Sequence, residues 1–253
     1  MNLRFLKIKK AGQCRAWVTF CGVLLLAFLI RWIYGELHPA FRRDEIYYLK
    51  MAEYLAEHGQ YPTHYGQQPP LLVFVLHWVC SCGLDLDWAA RWVTRIAGLF
   101  FVVPWWWIGK YLFTNSRGRM LLMFLMAIAP YPVFLSNQVL REAFSLPIAA
   151  WFLLILLSYW DNSKNWQYAL IGGVVCALGN CCRYEFGELL LVFSGSIIWA
   201  CYKQKISFLM ALGQLFLLFG TWIIGFIIFL YGMKIDAFSW FIHLATVIRE
   251  RVC

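Results

Sequence analysis

Apolar runs recur along the chain at close intervals: 16–34, 71–84, 88–110, 120–135, 143–160, 167–182, 186–202 and 208–231. A helix needs about 20 such residues to cross a bilayer, within a range of about 17 to 25. In hydrocarbon every backbone amide must be satisfied within its own segment, so runs of this kind restrict the chain to a bundle of helices. The predicted fold is therefore an all-α polytopic membrane protein. Charged residues make up only 14% of the 253 positions, against about a quarter in soluble domains. The formal charge of +9 is gathered in short segments between apolar runs, where it orients membrane helices and gives no reason to expect nucleic acid as a partner. The nine cysteines fall mostly in or beside apolar runs and form no disulfide framework or zinc pattern.

The run 71–84 is short for a crossing, and charge decides its status. Lys110, Arg117 and Arg119 belong on the cytoplasmic side, as do Lys203 and Lys205, by the positive-inside preference. Both clusters fall inside only if 71–84 lies along the outer surface after Pro69 and Pro70. About seven crossings then remain, and residues 1–253 form a single transmembrane domain. It comprises a first span at 16–34 that acts as a signal anchor, an outer loop at 35–87 with two juxtamembrane helices, six further spans within 88–231, and an outer tail at 232–253. The N-terminus is expected in the cytoplasm and the C-terminus outside, in a bacterial inner membrane. The same count puts Arg91, Arg141, Glu142 and Arg183 on the side of Asp44 and Glu45.

Within the outer loop, residues 44–58 show an apolar stripe of Ile46, Tyr47, Met51, Tyr54 and Leu55 at helical spacing, opposite Glu53 and Glu57. This predicts a helix lying at the membrane surface, ended by Gly59 and Pro62. His64, Tyr65, Gln67 and Gln68 follow, with hydrogen-bonding groups suited to a polar ligand.

The order of these pieces resembles the first outer loop of the GT-C superfamily of lipid-linked-sugar glycosyltransferases. The matching residues are Arg43-Asp44-Glu45-Ile46-Tyr47-Tyr48, then Gly59-Gln60-Tyr61, then Pro69-Pro70 opening an apolar helix. The likeness is strongest to protein O-mannosyltransferases, aminoarabinose lipid A transferases and their bacterial relatives. Arg91 with Gly98 and Pro104, Ala129-Pro130 through Arg141-Glu142, and Gly172-Gly173 through Cys182-Arg183-Tyr184 continue it in order. The resemblance covers about residues 16 to 231 and corresponds to the seven-helix module of such enzymes. Family members usually continue into further helices, so a partner subunit supplying them is an expectation too.

The resemblance implies transfer of a sugar, with inversion, from a polyprenyl-phosphate donor in the membrane lipid to a hydroxyl acceptor at the outer face. A surface aspartate is ionised at neutral pH and can take the proton of an attacking hydroxyl within hydrogen-bond reach. Asp44 is the candidate base, with Glu45 as its neighbour and rival. Both are also the carboxylates that a helix dipole favours at an N-terminus. Glu142 is a candidate ligand for a sugar hydroxyl or, with Asp44, for a divalent cation such as Mg or Mn; its structural alternative is a local pair with Arg141. Arg91, Arg141 and Arg183 offer planar forks for phosphate oxygens, or snorkel to headgroups. Tyr47, Tyr48, Tyr65, His64 and Gln68 are candidate substrate contacts. Trp105, Trp106 and Trp107 read as an interfacial belt near the cytoplasmic end. Two other classes stay open: a small transporter, whose pathway would need charges within the spans, and a non-catalytic or truncated membrane scaffold related to the same family.

Overall fold

Residues 3–37 wind into one continuous helix, α1 (Leu3–Leu37), whose portion Ala16–Leu37 is long and apolar enough to cross a membrane. The computed structural model describes residues 3–39, 41–61 and 70–232, with side chains from residue 16 onward. After a short extended link comes α2 (Arg43–His58), which stops at Gly59 because that residue turns left-handed (φ 64°) and returns its amide to the Leu55 carbonyl. The helix α3 (Leu71–Ser81) follows, then α4 (Leu86–Leu112), whose first turn is capped by the Asp85 carboxylate on the Trp88 amide at 2.9 Å.

The predicted span at 120–135 is two helices, α5 (Ser116–Ile128) and α6 (Pro130–Leu135). This corrects the expectation of one uninterrupted helix. Pro130 has no amide hydrogen to give and pushes the preceding residue out of the helical region, and Ala129 accordingly sits at ψ 126°. The remaining helices are α7 (Glu142–Asp161), α8 (Gln167–Cys182), α9 (Gly187–Tyr202) after a 3-10 turn at Tyr184–Phe186, and α10 (Phe208–Gly232). Their bounds fall within a residue or two of the predicted runs. The tail beyond 232 lies outside the described residues.

Among the described residues, five helices meet the length and hydropathy of a membrane span: the apolar part of α1, α4, α7, α9 with its preceding turn, and α10. The shorter α8 and the broken α5–α6 pair run between the same two ends of the bundle. At one end Phe20 of α1 meets Trp106 and Trp107 of α4. At the other, Glu36 of α1 meets Arg95 of α4, and Val139 after α6 meets Glu45 of α2. Successive segments α1, α4, α5–α6, α7, α8, α9 and α10 thus traverse the bundle in alternating directions. The chain is an integral, multi-pass membrane protein, and its many exposed Leu, Ile and Phe side chains face lipid rather than water.

The helices α2 and α3 do not traverse. They lie across one end, where Leu49, Met51, Leu72 and Leu76 pack with Phe226 and Leu230 of α10 into a single apolar cluster. The short run after the double proline is therefore a cap on the bundle, and Asp44, Arg91, Arg141 and Arg183 share one end. At the opposite end Trp106 and Trp107, partly exposed, pack on Phe20, and Trp107 approaches Trp151 of α7. Helix α8 comes close to α10 at Gly173, where an added Cβ would lie 2.4 Å from the Leu218 carbonyl oxygen.

Candidate functional site

Two adjacent acids open α2 and do different things. Glu45 is 3% exposed, and both of its oxygens are engaged. Its Oε2 accepts the Arg42 amide at 2.5 Å, closing the first turn. Its Oε1 accepts the amide of Val139, in the segment between α6 and α7, at 2.9 Å. Asp44, one residue earlier, points away from this anchor and is exposed.

The segment that Glu45 holds leads directly into Arg141 and Glu142 at the start of α7. Together with Asp44, Tyr47, Tyr48 and Leu140 these line a recess of about 390 Å³. Arg183, at the end of α8, completes the wall: its Nη1 lies 3.5 Å from Glu142 Oε1, and Arg141 Nε lies 3.3 Å from the same oxygen. Arg183 Nε also meets Glu185 Oε2 at 3.5 Å, and the Cys182 thiol reaches the Arg141 carbonyl at 3.1 Å. Three stretches far apart in sequence therefore converge on one polar recess. Both guanidiniums touch Glu142 through one nitrogen and keep further N–H donors for a ligand.

Burial pushes the Tyr48 phenol up to about 12; Glu142, Cys182 and Asp44 add to the rise, and Arg141 opposes it. Tyr48 thus stays protonated and able to donate at neutral pH. For Arg141, burial works against the charge, but Tyr48, Glu142 and Glu185 outweigh it and hold the group above its ordinary value.

Not all the predicted residues gather here. Arg91 donates to the Pro39 carbonyl and stacks 4.3 Å from the Phe41 ring, bracing the link into α2 outside the recess wall. His64, Tyr65 and Gln68 lie outside the described residues. Asp44 and Glu142 could each offer oxygen to a divalent cation, but no third acid, histidine or cysteine completes a ligand group among the described residues. Glu142 is moreover already bound by two arginines. The fit for a metal is poor.

Arg95, a lesser candidate beside Arg91 and Arg183 in the sequence, has partners that were not foreseen there. Arg95, 4% exposed, brings Nη1 and Nη2 to Glu36 Oε1 at 3.2 Å and Nε to Asn137 Oδ1 at 3.2 Å. The segment 136–141 is held at both Asn137 and Val139. The polar pair Asn137-Gln138 after an apolar run was the available signal.

Comparison with known families bears on this arrangement. Residues 67–225, more than half of the chain, match the model of the dolichyl-phosphate-mannose-protein mannosyltransferases. The chain belongs to that family. It is accordingly a glycosyltransferase-type membrane protein of the GT-C class, as the order of its motifs implied. The matched region contains Arg91, Arg141, Glu142 and Arg183, and begins after Asp44, Glu45 and the tyrosines of α2. No functionally curated protein matches the sequence.

Proposed function

We propose that this mannosyltransferase-family chain moves a sugar from a polyprenyl-phosphate donor to a hydroxyl acceptor at the outer membrane face, by a single inverting displacement. The observation that carries the reading is the recess itself, where an exposed aspartate from α2 and Arg141 at the start of α7 line one cavity, with Arg183 from the end of α8 paired to Glu142 beside them.

Asp44 takes the proton of the acceptor hydroxyl as its oxygen attacks the anomeric carbon from the side opposite the phosphate. The bond between that carbon and the phosphate oxygen breaks, and polyprenyl phosphate leaves. Arg141 and Arg183 offset the charge that grows on the departing phosphate. Glu142 fixes both arginines, which makes it a positioning residue rather than a ligand of the sugar. Tyr48, protonated, is a donor for a sugar or phosphate oxygen.

An apolar groove supports the same reading. It begins at Phe144, half a turn below Glu142, and runs along Pro147, Ile148 and Trp151 between α4 and α8, with a volume of about 270 Å³. Such an apolar groove, starting two residues after Glu142 on the same helix, suits an isoprenoid tail.

The test uses purified protein in detergent with radiolabelled polyprenyl-phosphate mannose. Label should pass to a hydroxyl acceptor, or the donor should hydrolyse slowly. Asp44→Asn should lower turnover by at least about 100-fold, the lower range for a removed general base. Unchanged turnover in a folded variant would remove Asp44 from the chemistry.

A further inference from the structure

The end of the bundle remote from the recess carries a second polar cavity. Helix α7 has 20 residues, so its far end lies about 30 Å from Glu142 at 1.5 Å per residue. There, a cavity of about 430 Å³ opens between the ends of α7 and α9, lined by Ser163, Ser196, Trp160, Trp199, Lys203 and Lys205.

Its floor is fixed. The Tyr159 hydroxyl donates to Gln214 Oε1 at 3.0 Å, and Gln214 Nε2 donates to the Ser163 carbonyl at 2.8 Å, both within the buried interior. Ser163 is 6% exposed, and its own hydroxyl makes no hydrogen bond among the described residues. The last carbonyls of α9 are met by backbone amides: Lys203 on Trp199, Gln204 on Cys201 and Lys205 on Ala200. The left-handed Gln204 (φ 55°) makes this turn possible. The two ammonium groups are thus not consumed in capping the helix. Lys203 Nζ instead sits 4.9 Å from the Trp199 ring, and neither lysine has a carboxylate in ion-pair range among the described residues. The surrounding loops add Lys110, Arg117, Arg119 and Lys164 against Asp161.

We propose that this cavity binds the headgroup of an anionic phospholipid. The phosphate lies between Lys203 and Lys205, the unpartnered Ser163 hydroxyl donates to one of its oxygens, and the indoles of Trp160 and Trp199, both half exposed, flank the glycerol at the level where such rings settle in bilayers. Trp199 continues down α9 into the lipid-facing surface, the path an acyl chain would follow.

The experiment compares retention of phosphatidylglycerol and phosphatidylcholine by the purified full chain, read by native mass spectrometry from mixed micelles. Phosphatidylglycerol should be retained preferentially, and the double variant Lys203→Gln, Lys205→Gln should weaken it about 10-fold or more. Ser163→Ala should weaken it by a smaller factor. The pair Lys110→Gln, Arg117→Gln removes equal charge from the same end and should leave retention unchanged. Equal loss in both double variants would mean a diffuse charge effect and overturn the site. Displacement by millimolar inorganic phosphate would show a free-anion site and overturn the lipid assignment. Both lysines are exposed, so the variants should fold, and sugar transfer at the opposite end is not the readout.

Discussion

Replacing Glu45 by alanine tests the claim that the two neighbouring acids have separate tasks. In the native protein its carboxylate accepts two backbone amides, one in its own helix and one from Val139, which is 1% exposed. Alanine leaves the Val139 amide buried without an acceptor, a cost of about 1–3 kcal/mol. It also removes the acceptor of the Arg42 amide at the start of α2, which costs about 1 kcal/mol. The sum, about 2–4 kcal/mol, is a large fraction of the stability of an ordinary domain. It should appear as a clear drop in the midpoint of thermal unfolding in detergent, together with faster proteolysis in the 136–141 segment. Glu45→Gln keeps one acceptor but turns an NH2 group toward an amide donor, so it should lie between alanine and wild type. An alanine variant that unfolds at the wild-type midpoint, yet has lost all transfer activity, would refute the reasoning and point to Glu45 as the base.

Three further outcomes follow from the geometry. Burial raises the Tyr48 phenol, so the folded state favours its neutral form; the resulting stability is complete below the unfolded value near 10 and should disappear as pH climbs toward about 12. Tyr48→Phe should flatten that part of the pH–stability curve, and an unaltered alkaline slope would contradict it. Gly173→Ala would force a Cβ to 2.4 Å from the Leu218 carbonyl oxygen and should destabilise the α8–α10 packing by about 1–3 kcal/mol, seen as a lower unfolding midpoint. Single cysteines introduced at Asp85 and Arg117 in a cysteine-free background should label from opposite sides of the membrane; labelling from one side would break the alternation of the helices.

The helices were legible because lipid leaves few options: a run of apolar residues of sufficient length either crosses or lies flat, and the distribution of Lys and Arg separated the two. The flat path of 71–84 came from charge at distant positions, and its packing on α10 agrees. The break at Ala129 was missed even though Pro130 was in view, since a proline in an apolar run is compatible with a kinked helix as well as a broken one. Asp44 and Glu45 were inseparable in the sequence because their difference lies in where Val139 sits, a contact 94 residues distant. Arg91 was read as a phosphate ligand from its place in the resemblance, and its contacts with Phe41 and with Pro39, 52 residues earlier, were not legible there. The anchoring contacts of Arg95 were hidden for a similar reason: its partners, Glu36 on α1 and Asn137 in the turn after α6, lie 59 and 42 residues away.

The interruption at Pro130 has a consequence for how the recess is built. Between Ile128 and Glu142 the backbone ladder contributes only the six residues of α6, so the strip bearing Leu140 and Arg141 is suspended from Arg95 and Glu45 instead of being an extension of a rigid rod. The shape of the recess on that side thus depends on two side-chain moorings rather than on any membrane-crossing segment.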